Sequence, residues 1–217
     1  FCVGACPVSG ALPLTPERIA CSMAVLSTRF TWMLFAVSLG ALGLHATAGL
    51  DTAFEPWLRI DGLTLIMATV VTFVSGIVHS FAHRYMEGSQ HAGRFYTRLL
   101  MLTLVVLLLT AADHLALFAV SWAVMGWLLA DLIGLLRGWP QAQAAARRAR
   151  WSFLGGSALL AAALGLLASQ TGTATITDAL ARTDALSAAP LAGISALLIG
   201  AAMVQSALIP FHGWLLS

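Results

Sequence analysis

The sequence predicts an all-α fold: a polytopic membrane helical bundle of about six transmembrane helices. Apolar residues make up 59% of the 217 residues and charged residues only 9%, with a mean hydropathy of +0.89. A soluble domain carries roughly a quarter charged residues, so this deficit belongs to a surface that faces lipid. The apolar runs recur along the whole chain, which a cleaved signal peptide does not explain. None of them alternates as the strand of a membrane barrel does.

The elements follow in order. Residues 1–29 are expected to form an N-terminal segment, disordered or partly non-native. Phe1 is not a start residue, whereas Met23 precedes Arg29 and the first apolar run as a natural start would. Cys2, Cys6 and Cys21 all fall before the first span. Their spacing matches no zinc or redox motif, and three thiols cannot all pair internally, so they read as free thiols. A spanning helix needs about 20 mostly apolar residues. Six segments qualify, at about 30–50, 62–83, 95–112, 114–136, 151–169 and 191–216. Residues 30–217 therefore read as one transmembrane domain.

Asp113-His114 alone separates the third and fourth spans, which predicts a tight turn. Glycine and alanine are frequent in the fifth and sixth, where they favour close helix packing in lipid. Residues 170–190 are rich in Thr, Ala, Ser and Asp and end at Pro190, which predicts an exposed linker.

Arginine placement sets the expected orientation. Arg18, Arg29, Arg84, Arg94, Arg137, Arg147, Arg148 and Arg150 fall on one side of the spans, and Arg59 and Arg182 on the other. The first side is expected to be cytoplasmic, with the N-terminus inside. The run Arg147-Arg148-Ala149-Arg150 reads as a positive-inside loop.

Several function classes find no support. The net charge is only +2 and no basic patch is interleaved with aromatics, so no nucleic-acid partner is expected. All eleven basic residues are arginines, which leaves no lysine for proton carriage or a Schiff base. There is no glycine-rich phosphate loop, no Gly-x-Ser-x-Gly elbow and no paired-carboxylate arrangement. No cofactor is expected, and the chain by itself reads as a transport subunit rather than an enzyme.

Ionisable residues within spans are costly and default to functional candidates. Asp131 lies about one and a half turns before the end of the fourth span; its alternative is a carboxylate near the interface, paired with a loop arginine. His79 and His83 share a helix face four residues apart. That spacing holds a metal only with further ligands, and the pair is expected at a solvated cytoplasmic end. Asp113 is read either as the cap of the fourth helix or, with His114, as a proton entry point. Trp122 and Trp127 read as packing or lipid contacts.

The final stretch is the most informative. An apolar helix runs into Pro210, which removes a backbone donor and clashes one turn back. Gln205 lies five residues before this break and His212 two after. In lipid, backbone freed by a break is satisfied by protein or by water in a cavity, and interrupted helices with polar neighbours mark ion pathways. The candidate pathway residues are His212, Gln205, Asp113 and Asp131, with Pro210 as the helix break.

Four motifs agree in order. Asp61-Gly62-Leu63-Thr64-Leu65-Ile66-Met67 opens the second span, and His79-Ser80-Phe81-Ala82-His83-Arg84-Tyr85-Met86-Glu87-Gly88 closes it. Ala112-Asp113-His114-Leu115 follows, with Ser121-Trp122, and then Ile209-Pro210-Phe211-His212-Gly213-Trp214-Leu215. From about residue 57 to 217 the chain resembles the antiporter-like membrane subunits of respiratory complex I (the NuoL type) and of Mrp antiporters. The resemblance implies a long helical bundle of two inverted five-helix repeats, of which this chain carries about the first.

The departures are informative. In proton-pumping members a glutamate follows the tryptophan matched by Trp122, and here that position is Ala123. A lysine precedes the Ser-Ala pair of their interrupted helix, and here Gln205 stands there. Asp131 lies eight residues beyond Ala123, about 12 Å along the axis and about 80° around it, so it does not stand in for the glutamate. Both halves of the family's ion pair are neutral, which is similar to the DabB branch. That likeness implies an energy-coupled inorganic carbon uptake complex with a large zinc-containing DabA-like partner, driven by protons or sodium ions at a bacterial inner membrane. The alternatives are a divergent NuoL-like subunit of an NADH:quinone oxidoreductase, an Mrp-type antiporter, and a scaffold without ion flow.

Overall fold

The structure, a computed structural model, describes residues 16–48, 52–54, 57–86, 89, 91–136 and 138–206. The expected all-α membrane bundle is what forms. The elements are α1 (Pro16–Ala48), β1 (Thr52–Phe54), β2 (Leu58–Ile60), α2 (Gly62–Tyr85), α3 (Ala92–Ala111), α4 (Leu115–Ile133), α5 (Pro140–Thr171), α6 (Ile176–Ala181), a short 3₁₀ turn at Thr183–Ala185, and α7 (Ala188–Gln205). Six of the helices are long and apolar enough to cross a membrane. The chain divides into two compact units, Phe1–Leu50 with Gly62–Leu104 and Asp51–Asp61 with Val105–Ser217.

In the first unit α1 packs along α2 through small and hydroxylated side chains. Ala24, Ser27 and Thr31 of α1 are buried, as are Thr72, Ser75, Gly76, His79 and Ala82 of α2. Gly76 is needed here because a Cβ would lie 3.1 Å from the Trp32 ring. Trp32 Nε1 donates to Ser80 Oγ at 3.0 Å, and Ser38 and Thr72 share a hydroxyl hydrogen bond of 3.0 Å. In lipid, helices associate through such close small-residue contacts and interhelical hydrogen bonds rather than by apolar burial. α1 begins at Pro16, well before residue 30, so part of the segment expected to be irregular is helical.

In the second unit α4 and α7 both pack on α5. Leu115, Leu160, Leu164, Leu167, Ala179, Ile194 and Ala201 form its main apolar cluster. α5 starts at Pro140 rather than near residue 151. Proline suits the first helical position, where its missing N–H has no intrahelical partner anyway, and the alanine-rich run behind it propagates the helix. α5 ends at Gly172, whose φ of 68° is the left-handed cap glycine tolerates, with its N–H returning to Ala168 O at 2.8 Å.

Residues 170–190 are not an open linker. Thr175 caps α6, accepting from Asp178 N at 3.3 Å and donating to the Asp178 carboxylate at 2.8 Å. Ala179 of α6 is fully buried in the main cluster. The composition that signalled a loop is that of a capped short helix. The antiparallel hairpin β1–β2 (Thr52↔Ile60, Ala53↔Arg59, Phe54↔Leu58) is a further element that the span pattern does not contain. Large apolar side chains such as Phe81, Trp127 and Trp151 stand outward, as a bilayer solvent permits.

Candidate ion-pathway site

Four elements of the second unit meet around Asp113. Its backbone N–H donates to Trp57 O at 3.0 Å, and its carbonyl accepts from Ile176 N at 2.6 Å. Its carboxylate accepts from Thr177 N at 3.1 Å and from the Thr177 hydroxyl at 2.8 Å. Arg59 of β2 donates to the same Thr177 hydroxyl at 3.0 Å and approaches Asp61 at 3.9 Å. Asp113 therefore supplies a second acceptor at the start of α6, beside the N-cap Thr175, and does not cap α4 as expected. The α4 cap is His114, whose Nδ1 accepts from Ala116 N at 3.1 Å while its ring stacks on Trp57 with centroids 4.4 Å apart. A local rule favours Asp at the N-cap. The residue order Asp-His instead leaves the histidine adjacent to the helix and frees the aspartate for a distant one.

Deeper in the same unit lies an uncharged polar set. Gln205 is the last residue of α7. Neither atom of its amide has a hydrogen-bond partner among the described residues, although both are buried. The same holds for Ser121 Oγ and Trp122 Nε1 of α4. Ser121 differs from Ser80, Thr72, Thr103 and Ser157, whose hydroxyls all bond back to a carbonyl four residues earlier. A buried group without a partner costs about 1–3 kcal/mol, so such groups ask for an explanation.

α4 and α7, which carry these residues, each pack on α5. A Cβ on Gly126 of α4 would lie 3.0 Å from Phe153 Cβ, and one on Gly156 of α5 would lie 3.3 Å from Val204 Cγ1 of α7. Phe153 and Gly156 are neighbours on one face of α5. Trp122, one turn before Gly126, packs on the cluster that contains Ala201, one turn before Gln205. Trp122 is thus a packing residue whose donor has no partner among the described residues, and Trp127 faces outward. Ala123 is half-buried beside it.

Asp131 is half-buried in the last turn of α4, closer to the helix end than expected because α4 stops at Ile133. Pro210 and His212 lie outside the described residues.

The first unit holds a second buried polar group. His79 is not solvated but fully buried. Its Nδ1 donates to Ser75 O at 2.8 Å, and Ser75 Oγ lies 3.2 Å from the same nitrogen and 2.6 Å from Thr103 Oγ1. Tyr96 of α3 is equally buried, its ring centroid 6.2 Å from that of His79. His79 Nε2 and Tyr96 OH both lack partners among the described residues. The His79/His83 spacing was visible in the sequence, but the burial depends on α3, and no local signal carries it. Among the described residues no three His, Cys, Asp or Glu side chains come together as a metal site would require.

Comparison with known proteins gives two family matches. Residues 48–96 match the model for the N-terminus of chain 5 of NADH-ubiquinone oxidoreductase (complex I). Residues 112–217 match the transmembrane model of NADH:quinone oxidoreductase and Mrp antiporters, so that together the two cover more than half of the chain. Among curated relatives, the "Probable inorganic carbon transporter subunit DabB2" of Halothiobacillus neapolitanus is 30% identical over 180 residues, covering 82% of this chain and 32% of its own length. NADH-quinone oxidoreductase subunit L of Escherichia coli is 35% identical over 163 residues, covering 73% of this chain and 26% of its own. The chain thus spans about a third or less of the length of these relatives. The solved Mrp complex of Dietzia sp. DQ12-45-1b shares the fold, with a TM-score of 0.69 over 92% of this chain and 24% of that one, at 24% identity.

Proposed function

Because the chain belongs to the family of complex I and Mrp antiporter-like membrane subunits, we propose that it serves a multi-subunit membrane complex that moves ions, and specifically one for energy-coupled uptake of dissolved inorganic carbon. In this reading it is a DabB-type subunit of a bacterial inner membrane, with its N-terminus in the cytoplasm. It passes protons or sodium ions and couples their flow to a DabA-like, zinc-containing partner. The similarity to the Halothiobacillus subunit supports the branch.

One observation carries the proposal. Gln205, Ser121 and Trp122 present buried polar atoms without partners among the described residues, in an otherwise apolar helix group. By resemblance, pumping relatives hold a lysine at the position of Gln205 and a glutamate at that of Ala123. A neutral set of donors and acceptors at this level orders water and passes ions without a fixed charge pair. His212 and Asp131 are the titratable groups assigned to the rest of the path, and Asp113 holds its mouth by tying α6 to the hairpin.

The test is growth. Deletion of the gene is expected to abolish growth at ambient CO₂ and to leave growth at elevated CO₂ intact. His212→Ala in the full-length chain is expected to act in the same way at an unchanged protein level. The second reading, a proton-translocating subunit of an NADH:quinone oxidoreductase, is favoured by the 35% identity to the Escherichia coli subunit. It requires that deletion remove NADH-driven proton pumping while carbon uptake stays normal.

A further inference from the structure

We propose that His79 and Tyr96 form a buried, water-linked proton-carrying pair, separate from the Gln205 set and on helices of the first unit. The proposal rests on the ion-moving function above and adds a site to it.

The geometry fixes the chemistry of each group. Ser75 O is a carbonyl and accepts only, so the His79 Nδ1 facing it at 2.8 Å carries the ring proton of the neutral imidazole. Nε2 is then a bare acceptor. It lies in a fully buried side chain and has no partner among the described residues. Tyr96 OH is a donor, equally buried and equally without a partner. An unused acceptor and an unused donor thus sit on two rings whose centroids are 6.2 Å apart. One water between them satisfies both, and such buried waters commonly make about three hydrogen bonds.

The proton step balances simply. Nε2 takes a proton from the linking water, which is replenished from the next water in line. The resulting imidazolium keeps its Nδ1–H on Ser75 O and gives its Nε2 proton back to the linking water, while that water passes one of its own protons to the Tyr96 oxygen and the original Tyr96 proton leaves to a further water, so that both rings end neutral. Ser75 and Thr103, joined by a hydroxyl hydrogen bond of 2.6 Å, hold α2 and α3 at the spacing this needs.

The charged neighbours are few. His83 lies one turn further along α2 and is half-buried. Arg94 and Arg98 flank Tyr96 on α3 and line a surface depression with Met23 and Thr97. α1 packs on α2 with Ser27 and Thr31 buried, while its Arg29 is exposed.

The experiment uses the full-length chain in its complex, reconstituted in lipid vesicles. Nitrogen NMR of histidine-labelled protein, with His79→Gln identifying the signal, is expected to show an Nδ1-protonated neutral ring whose Nε2 receives magnetisation from water. Tyr96→Phe, which keeps the ring and its packing, is expected to weaken that water contact. Both variants are expected to lower proton flux about 100-fold, the lower end of what a positioned proton-transfer group supplies. A ring protonated on Nε2, an Nε2 dry to water, or wild-type flux in Tyr96→Phe overturns the pair. Absence of proton flux in the unmodified complex overturns the functional reading instead, and the NMR result then decides the hydrated pair by itself.

Discussion

The Asp113 carboxylate accepts two hydrogen bonds from Thr177, one from its backbone N–H at 3.1 Å and one from its hydroxyl at 2.8 Å. The two residues are 64 apart in sequence, so a side chain at the α3–α4 turn satisfies an orphan donor at the start of α6. Asp113→Ala is expected to cost about 1–2 kcal/mol, the range for loss of a helix cap. Asp113→Asn keeps an acceptor oxygen and is expected to cost less. Thermal melting of the purified complex checks both. If Asp113→Asn melts normally but loses ion flux, its charge acts in transport as well.

His114 caps α4 through Nδ1 and stacks on Trp57. His114→Asn restores the capping acceptor and loses only the stack, which such aromatic pairs value at about 0.5–1.5 kcal/mol. His114→Ala loses both and is expected to melt lower than the asparagine variant. Equal melting of the two would show that the cap contributes nothing.

The contact of α7 with α5 depends on a missing side chain. Gly156→Ala places a Cβ 3.3 Å from Val204 and is expected to destabilise by about 1–3 kcal/mol, as overpacking does. Gly155→Ala is the control, since its Cβ would meet nothing within 4 Å. It is expected to be neutral or to stabilise by up to about 1 kcal/mol, because glycine is the weaker helix former. Melting temperatures that fail to separate the two variants would contradict the packing.

If the Gln205 set occupies the place of the family's ion pair, charges put back there must come as a pair. Gln205→Lys alone and Ala123→Glu alone are each expected to destabilise by about 3–5 kcal/mol, the cost of an uncompensated buried charge. The double variant is expected to recover most of that loss. A double-mutant cycle with no coupling would place the two positions out of contact.

The spans, their order and the tight α3–α4 turn were legible in the sequence because each depends on local composition and on the thickness of a bilayer. Gln205 stood out for a similar reason, being a polar residue just before a proline in an apolar run. Four other features were not legible: the second acceptor that Asp113 supplies to α6, the burial of His79, the atoms of Ser121 and Trp122 without partners among the described residues, and the folding of residues 176–181 into α6.

Composition and apolar run length alone are thus enough to specify a bundle of membrane helices. Which polar atoms are paired and which are left bare was decided by tertiary structure alone. The reason is physical: a hydrogen bond such as Thr177 to Asp113 or Ser75 to Thr103 joins groups far apart in the chain, and only helix packing sets whether they meet. In lipid, where water does not satisfy what the protein leaves open, that packing also decides which polar groups carry a desolvation cost.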